Sequence, residues 1–128
     1  MTNSSIQQHS LPSAFDGRGA GMYIYDATVT LSNTQVISNT TKNLGAGVRM
    51  FGASTLNVLG GSSFGNNQAL GGTGGAVAAT PPSVIRVRDA TLHNNTASGN
   101  GGAIYSNGSS LTINRTVKPS LPVFPYPA

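Results

Sequence analysis

Four copies of a Gly-small-small-apolar motif run through this 128-residue chain: Gly19-Ala20-Gly21-Met22, Gly45-Ala46-Gly47-Val48, Gly74-Gly75-Ala76-Val77 and Gly101-Gly102-Ala103-Ile104. Their starts step by 26, 29 and 27 residues. A repeat of that length is a single supersecondary unit that cannot bury its own apolar face, so it has to stack on its neighbours. Two further ladders keep the same beat. An apolar residue followed three positions later by asparagine recurs as Val36 to Asn39, Phe64 to Asn67 and Leu92 to Asn95, with 28 residues between successive copies. An apolar-polar-apolar triplet recurs as Val29-Thr30-Leu31, Leu56-Asn57-Val58, Ile85-Arg86-Val87 and Leu111-Thr112-Ile113, stepping by 27, 29 and 26.

Period-two alternation sends the outer residues of each triplet to one side of a strand and the middle one to the other. No segment carries apolar residues at helical spacing for long enough to compete. Three short strands and three corners fill a unit of this size, and each unit starts where the last one did, so like strands pair in parallel. A parallel pair needs a crossover, and in a coil the remaining strands supply it. The predicted fold is all-β: a right-handed, single-stranded parallel β-helix, or solenoid, of about four coils with three short strands per coil.

The corners fit this geometry. Asn39, Asn67 and Asn95 are expected at one corner, because asparagine tolerates the left-handed backbone and stacked amides hydrogen-bond along a column. Gly45, Gly74 and Gly101 are expected at the next, where φ above zero and close backbone approach are needed. Ala20, Ala46, Gly75 and Gly102 are small enough to point inward there. Met22, Val48, Val77 and Ile104 then re-enter the core.

Composition narrows the function. With 8% charged and 6% aromatic residues, the core is built from small and medium aliphatics. No cysteine is present, so there are no disulfides and no thiolate metal sites. The net charge of +4 is spread over Arg18, Lys42, Arg49, Arg86 and Arg88 in different coils and over Arg115 and Lys118 in the tail. Without clustering or aromatic interleaving this reads as solvated surface charge, not a nucleic-acid stripe. The acids are Asp16, Asp26 and Asp89, one to a unit, with no glutamate. Paired-carboxylate chemistry needs two acids within several ångströms. His9 and His93 lack recurring partners of metal-ligand type. No catalytic residue, cofactor or metal is therefore expected.

Phe64-Gly65-Asn66-Asn67 followed by Gly74-Gly75-Ala76-Val77 resembles the paired FxxN and GGA[ILV] motifs of the polymorphic outer membrane protein repeats of chlamydial-type surface proteins. The third unit matches both motifs in full. In the fourth Leu92 replaces Phe, the second has Val36 and a Gly-Ala-Gly-Val variant, and the first keeps Gly-Ala-Gly-Met with Ile6 and His9 as remnants of the other half. The resemblance covers roughly residues 6 to 114. It implies a secreted or cell-surface, outer-membrane-associated rod, often an adhesion passenger, whose partners are host or surface proteins or glycans. Any membrane attachment would come through segments outside this chain. Met1 to Ser10 is polar, without the apolar core of an export signal, and no stretch approaches the length of a membrane span, so the chain reads as a fragment of a longer repeat array or, alternatively, as a short complete product whose start was miscalled. Residues 1–18 are read as a partial coil or cap, 19–114 as the repeats and 115–128 as a proline-rich linker.

Two surface rows are candidates for contact. Tyr23, Arg49, Ala78 and Tyr105 follow the glycine motifs and should face outward, with Tyr25 and Phe51 nearby. Aromatics beside Arg stack on sugars or meet a protein partner, which marks Tyr23, Arg49 and Tyr105 as a binding row. Thr28 and Thr30, then Thr55 and Asn57, then Ser110 and Thr112 form a Thr-x-Thr-like row of the kind ice-binding β-helices repeat, interrupted by Val84 and Arg86. The expected function is a non-catalytic adhesion or display module. The alternatives are a fragment of a carbohydrate-active, polysaccharide-lyase-like β-helix whose catalytic coils lie elsewhere, and an ice-binding β-helix.

Overall fold

Like strands lie one above another through the described residues. The computed structural model describes residues 1–8, 10–11, 19–114 and 123–124, and every element among them is a strand. The first turn runs through β1 (Ser5–Gln7), β2 (Ser10–Leu11), β3 (Met22–Tyr25) and β4 (Thr28–Leu31). The second contains β5 (Gln35–Ile37), β6 (Thr40–Thr41), β7 (Val48–Phe51) and β8 (Thr55–Val58). The third contains β9 (Ser63–Gly65), β10 (Gln68–Ala69), β11 (Val77–Ala79) and β12 (Val84–Arg88). The fourth contains β13 (Thr91–His93), β14 (Thr96–Ala97), β15 (Ile104–Ser106) and β16 (Ser110–Asn114), and β17 (Val123–Phe124) follows.

These strands form four parallel sheets, ordered β1-β5-β9-β13, β2-β6-β10-β14, β3-β7-β11-β15-β17 and β4-β8-β12-β16. The result is a parallel β-solenoid of about four turns, with four strands per turn where three were expected. The additional strand is the two-residue piece just after the asparagine corner. Its residues, such as Thr40-Thr41 and Gln68-Ala69, are too few and too polar to carry an alternation signal.

Register puts the repeated apolar positions in columns. Met22, Val48, Val77 and Ile104 are successive partners, as are Val29, Leu56, Ile85 and Leu111, and Ile6, Val36, Phe64 and Leu92. In the middle turns these side chains are 0–2% exposed and form one cluster. A slip of one residue would turn every such column outward, so the alternation itself holds the register.

At the asparagine corner, the left-handed residue is the one before each column member. Ser38, Asn66 and Asn94 have φ of 57°, 54° and 53°. Asn39, Asn67 and Asn95 are themselves buried and point inward. The Asn39 Nδ2 donates to Asn67 Oδ1 at 3.0 Å, and Asn67 Nδ2 to Asn95 Oδ1 at 2.9 Å. The same Oδ1 atoms accept the backbone N–H of Asn39 and of Asn67, both at 3.1 Å. The second amide proton of Asn67 goes to the Val36 carbonyl at 2.8 Å, and Asn95 reaches the Phe64 carbonyl at 2.9 Å. Asn67 thus satisfies its full hydrogen-bonding capacity within the dry interior, as a buried amide must.

The glycine corner has φ of 65°, 69° and 67° at Gly45, Gly74 and Gly101, where a side chain would be strained. Of the two small residues that follow, the second packs in the core cluster, and Ala46, the first in its motif, is also fully buried. A Cβ on Gly47 would sit 2.5 Å from the Ala76 carbonyl and 3.2 Å from the Phe64 ring, and Ala76 and Ala103 belong to the core cluster. The first small residue lies against strand backbone: a Cβ on Gly75 would collide with Thr96 and the Gly102 carbonyl. Two chains approach too closely there for anything bulky.

Residues 115–122 and 125–128 lie outside the described residues, and with them most of the expected linker. Within that tail, Val123 and Phe124 pair in parallel with Ile104 and Tyr105.

The asparagine column yields a direct test. Asn67→Leu strands the buried donors of Asn39 and should cost about 3 kcal/mol of unfolding free energy. Asn57→Leu removes one 3.3 Å bond to Thr30 Oγ1 at a half-buried site and should cost under about 1 kcal/mol. Urea denaturation with equal midpoints for the two variants would contradict the inward placement of Asn67.

Candidate functional site

Register assembles the row after the glycine motifs: Tyr23 lies beside Arg49, Arg49 beside Ala78, and Ala78 beside Tyr105. The row is not open throughout. Tyr23 is 41% exposed, whereas Arg49 is 8% exposed and Ala78 is fully buried, and Tyr105 is half-buried. This corrects the reading of Arg49 as a solvated charge and of Ala78 as an outward solvent-facing position. Ala78 stands between two long side chains one strand spacing away on either side, and every residue of β11 is buried.

The exposed part of this sheet is at its β3 and β7 end. Tyr25 and Phe51 are cross-strand partners, 55% and 44% exposed. Their rings stack with centroids 5.7 Å apart and planes within 11°. Such a pair contributes about 0.5–1.5 kcal/mol beyond its buried area. Beside it the Arg49 guanidinium lies 5.9 Å from the Phe51 ring centroid, in the range of a cation–π contact. Arg49 Nη1 donates to the Met50 carbonyl at 2.9 Å, its Nε is buried without a hydrogen-bond partner, and no carboxylate pairs with it among the described residues. Burial pulls the guanidinium pKa below its ordinary value, and Tyr23 acts in the opposite sense. The ensemble is an aromatic surface over a partly desolvated cation. Sequence alone grouped these residues by spacing, but the depth of Arg49 carries no sequence signal.

The remaining charged groups do not converge. Asp26 and Asp89 occupy left-handed corners, with φ of 47° and 53°. Asp26 Oδ1 accepts the Ala53 N–H at 2.8 Å, and Asp89 lies 3.7 Å from Arg88 Nε in an exposed ion pair. Asp16, His9 and Arg18 lie outside the described residues. His93 packs its ring against the bare backbone of Gly65, its register partner, and its Nδ1 is buried without a partner. Among the described residues no three His, Cys, Asp or Glu side chains gather as metal ligands, and no helix is long and apolar enough to cross a membrane.

The triplet strands place Thr28, Thr55, Val84 and Ser110 in one outward row and Thr30, Asn57, Arg86 and Thr112 in another. Arg86 is exposed in the middle of its row, with Arg88 on the same strand. A shallow depression runs along the short-strand sheet, lined by Gln68, Ala69, Leu70, Thr96, Ala97 and Ser98, and no ionisable side chain lines it.

Compared with protein-family models, curated proteins and solved structures, the chain matches none.

The corrected burial changes what substitution should do along β11. Val77→Asp and Ala78→Asp place an acid at adjacent positions that are 1% and 0% exposed. Val77→Asp should be strongly destabilising, by more than about 3 kcal/mol, since its carboxylate finds neither water nor a cation in the core, and Ala78→Asp should also destabilise, though less, because it enters a filled site but stands beside the Arg49 guanidinium. Thermal melting followed by circular dichroism checks this, and wild-type stability of Ala78→Asp would contradict the burial of the row's centre.

Proposed function

We propose that this β-solenoid is a non-catalytic module of an extracellular or cell-surface protein, serving adhesion or display, with Tyr23, Tyr25 and Phe51 as its contact surface and Arg49 beneath them. The observation that carries the reading is the exposed Tyr25–Phe51 stack beside a cation that lacks a carboxylate partner among the described residues. Exposed aromatics that expend little conformational entropy on contact make effective anchors for sugars and for protein surfaces. The two described acids favour binding over hydrolysis, because Asp26 and Asp89 are each engaged at their own corner.

The same reading assigns the repeats to the polymorphic outer membrane protein type. Its support is the paired motif Phe64 to Asn67 and Gly74 to Val77, whose residues here serve the asparagine column and the close-packed corner. The partners are then a host or surface protein or a glycan, and the setting is the outer face of a cell.

Two measurements test the proposal. An antibody raised against the chain should label intact source cells, and labelling only after permeabilisation would overturn the assigned location. The purified chain should bind on an array of glycans and extracellular-matrix proteins. The double variant Tyr25→Ala with Phe51→Ala should weaken that binding at least tenfold, about 1.4 kcal/mol, while keeping the wild-type circular dichroism spectrum at the assay temperature.

A further inference from the structure

Arg49 differs from the other arginines among the described residues. Arg86 and Arg88 stand exposed on β12, and Arg88 has Asp89 beside it at 3.7 Å. Arg49 is 8% exposed and has no carboxylate partner among the described residues. A guanidinium carries five N–H donors and a full charge at neutral pH. Here Nη1 donates to the Met50 carbonyl at 2.9 Å, and Nε is enclosed without a partner. Nη2 makes no hydrogen bond among the described residues and is not one of the enclosed polar atoms. A charge held in this way has lost much of its hydration and received no counter-charge in return. That is costly for the protein alone and favours an anion that arrives from outside. The lowered guanidinium pKa reflects the same desolvation.

The side chains around the cation decide which anion fits. Alternation puts Tyr23 and Tyr25 on the outward face of β3, and Arg49 and Phe51 on the matching face of β7. Register joins Tyr23 to Arg49 and Tyr25 to Phe51, so the charge lies at one corner of a patch whose other three corners are exposed aromatics. The Tyr25 and Phe51 rings are within 11° of parallel, and the guanidinium is 5.9 Å from the Phe51 centroid. Asp26 follows Tyr25 in the chain, but its Oδ1 accepts the Ala53 N–H at the corner, and no acid stands on the patch itself. β7 is paired with β3 on one side and β11 on the other. An extended peptide therefore finds no open edge at Arg49, and a ligand there is held by side chains alone.

We propose that this aromatic contact surface takes an acidic sugar: the apolar face of a carboxylated pyranose packs on Tyr25 and Phe51 while its carboxylate pairs with the Arg49 guanidinium. The ligand class depends on the contact surface assigned to the module being its binding site. A pyranose presents C–H groups on a ring face, which suits an aromatic platform. The carboxylate of a uronic or sialic acid projects from the rim of that ring, toward a charge beside the platform. Its oxygens supply the charge-assisted hydrogen bonds that the guanidinium lacks within the chain. The acid group thereby discriminates against a neutral sugar of the same shape, which would leave the cation unpaired.

Calorimetric titration of the 128-residue chain tests this with two acids, tetragalacturonate and sialyllactose, each set against its carboxyl-reduced counterpart. At least one acid should bind, about tenfold or more tighter than its reduced form, and which one does so separates a uronic from a sialic ligand. That comparison uses the wild type and needs no variant to fold. Arg49→Gln should abolish the preference for the acid and leave affinity for the reduced sugar unchanged, whereas a folding defect would weaken both. Tyr25→Ala with Phe51→Ala should weaken both. Equal affinity for acid and reduced sugar, both lost in the aromatic double variant, would overturn the acidic ligand and leave the contact surface standing. So would capture of a matrix protein through the same aromatics with neither acid bound. An acid preference that survives Arg49→Gln would overturn the pairing, and binding untouched by the aromatic double variant would remove the contact surface itself.

Discussion

Parallel pairing of each strand with its counterpart one turn away is the constraint on which everything else in this molecule rests. A turn of roughly 27 residues has too few apolar side chains to exclude water by itself, and its strands are two to five residues long. Once turns are stacked in register, every strand of a middle turn is hydrogen-bonded on both edges, and its inward side chains meet like residues above and below. Phe64 packed between Val36 and Leu92 is the largest such column member. Burial of an aliphatic side chain of this kind contributes about 1.5–3 kcal/mol, so removing any turn from the middle would expose two layers at once.

The asparagine column shows how polar groups are admitted to that interior. A corner turns the chain and frees backbone carbonyls that a sheet would otherwise pair. Asn67 supplies both what the corner lacks and what its neighbours lack, donating to Val36 and Asn95 and accepting twice from Asn39. Each amide is useful only because the next turn brings another to the same height. Buried hydroxyls repeat the device at other corners, where Ser62 Oγ accepts the Thr34 N–H and Ser54 Oγ donates to the Ile24 carbonyl of the neighbouring turn at 3.3 Å. Side-chain hydrogen bonds thereby report the same turn-to-turn translation as the backbone.

That translation also decides where a binding surface can lie. Outward side chains of one sheet necessarily form rows at strand spacing, so an aromatic in one turn acquires a fixed neighbour from the next. Tyr25 and Phe51 meet in this way, 26 residues apart in the chain, and Arg49 is carried beneath them by the pair two residues earlier, Tyr23 with Arg49. Tyr105 belongs to the same row by register yet is separated from that group by the buried Ala78. The row is one line in sequence and two environments in space.

Spacing in the amino-acid sequence determined the repeat, the parallel stacking and the identity of the columns, because a translational fold writes the same residue class at the same height in each turn. Val29 and Leu31 to Leu111 and Ile113, the three column asparagines and the positive-φ glycines were all legible for that reason. Three things were settled only by tertiary structure. The fourth sheet exists because neighbouring turns pair Thr40-Thr41 with Gln68-Ala69, a contact no local pattern announces. The left-handed residue at the asparagine corner is Ser38, Asn66 or Asn94, since the column member must keep its side chain turned inward. Arg49 and Ala78 are buried because exposure on an outward face depends on how far the neighbouring side chains reach across it, and that is a property of packed volumes, which the order of residues does not record.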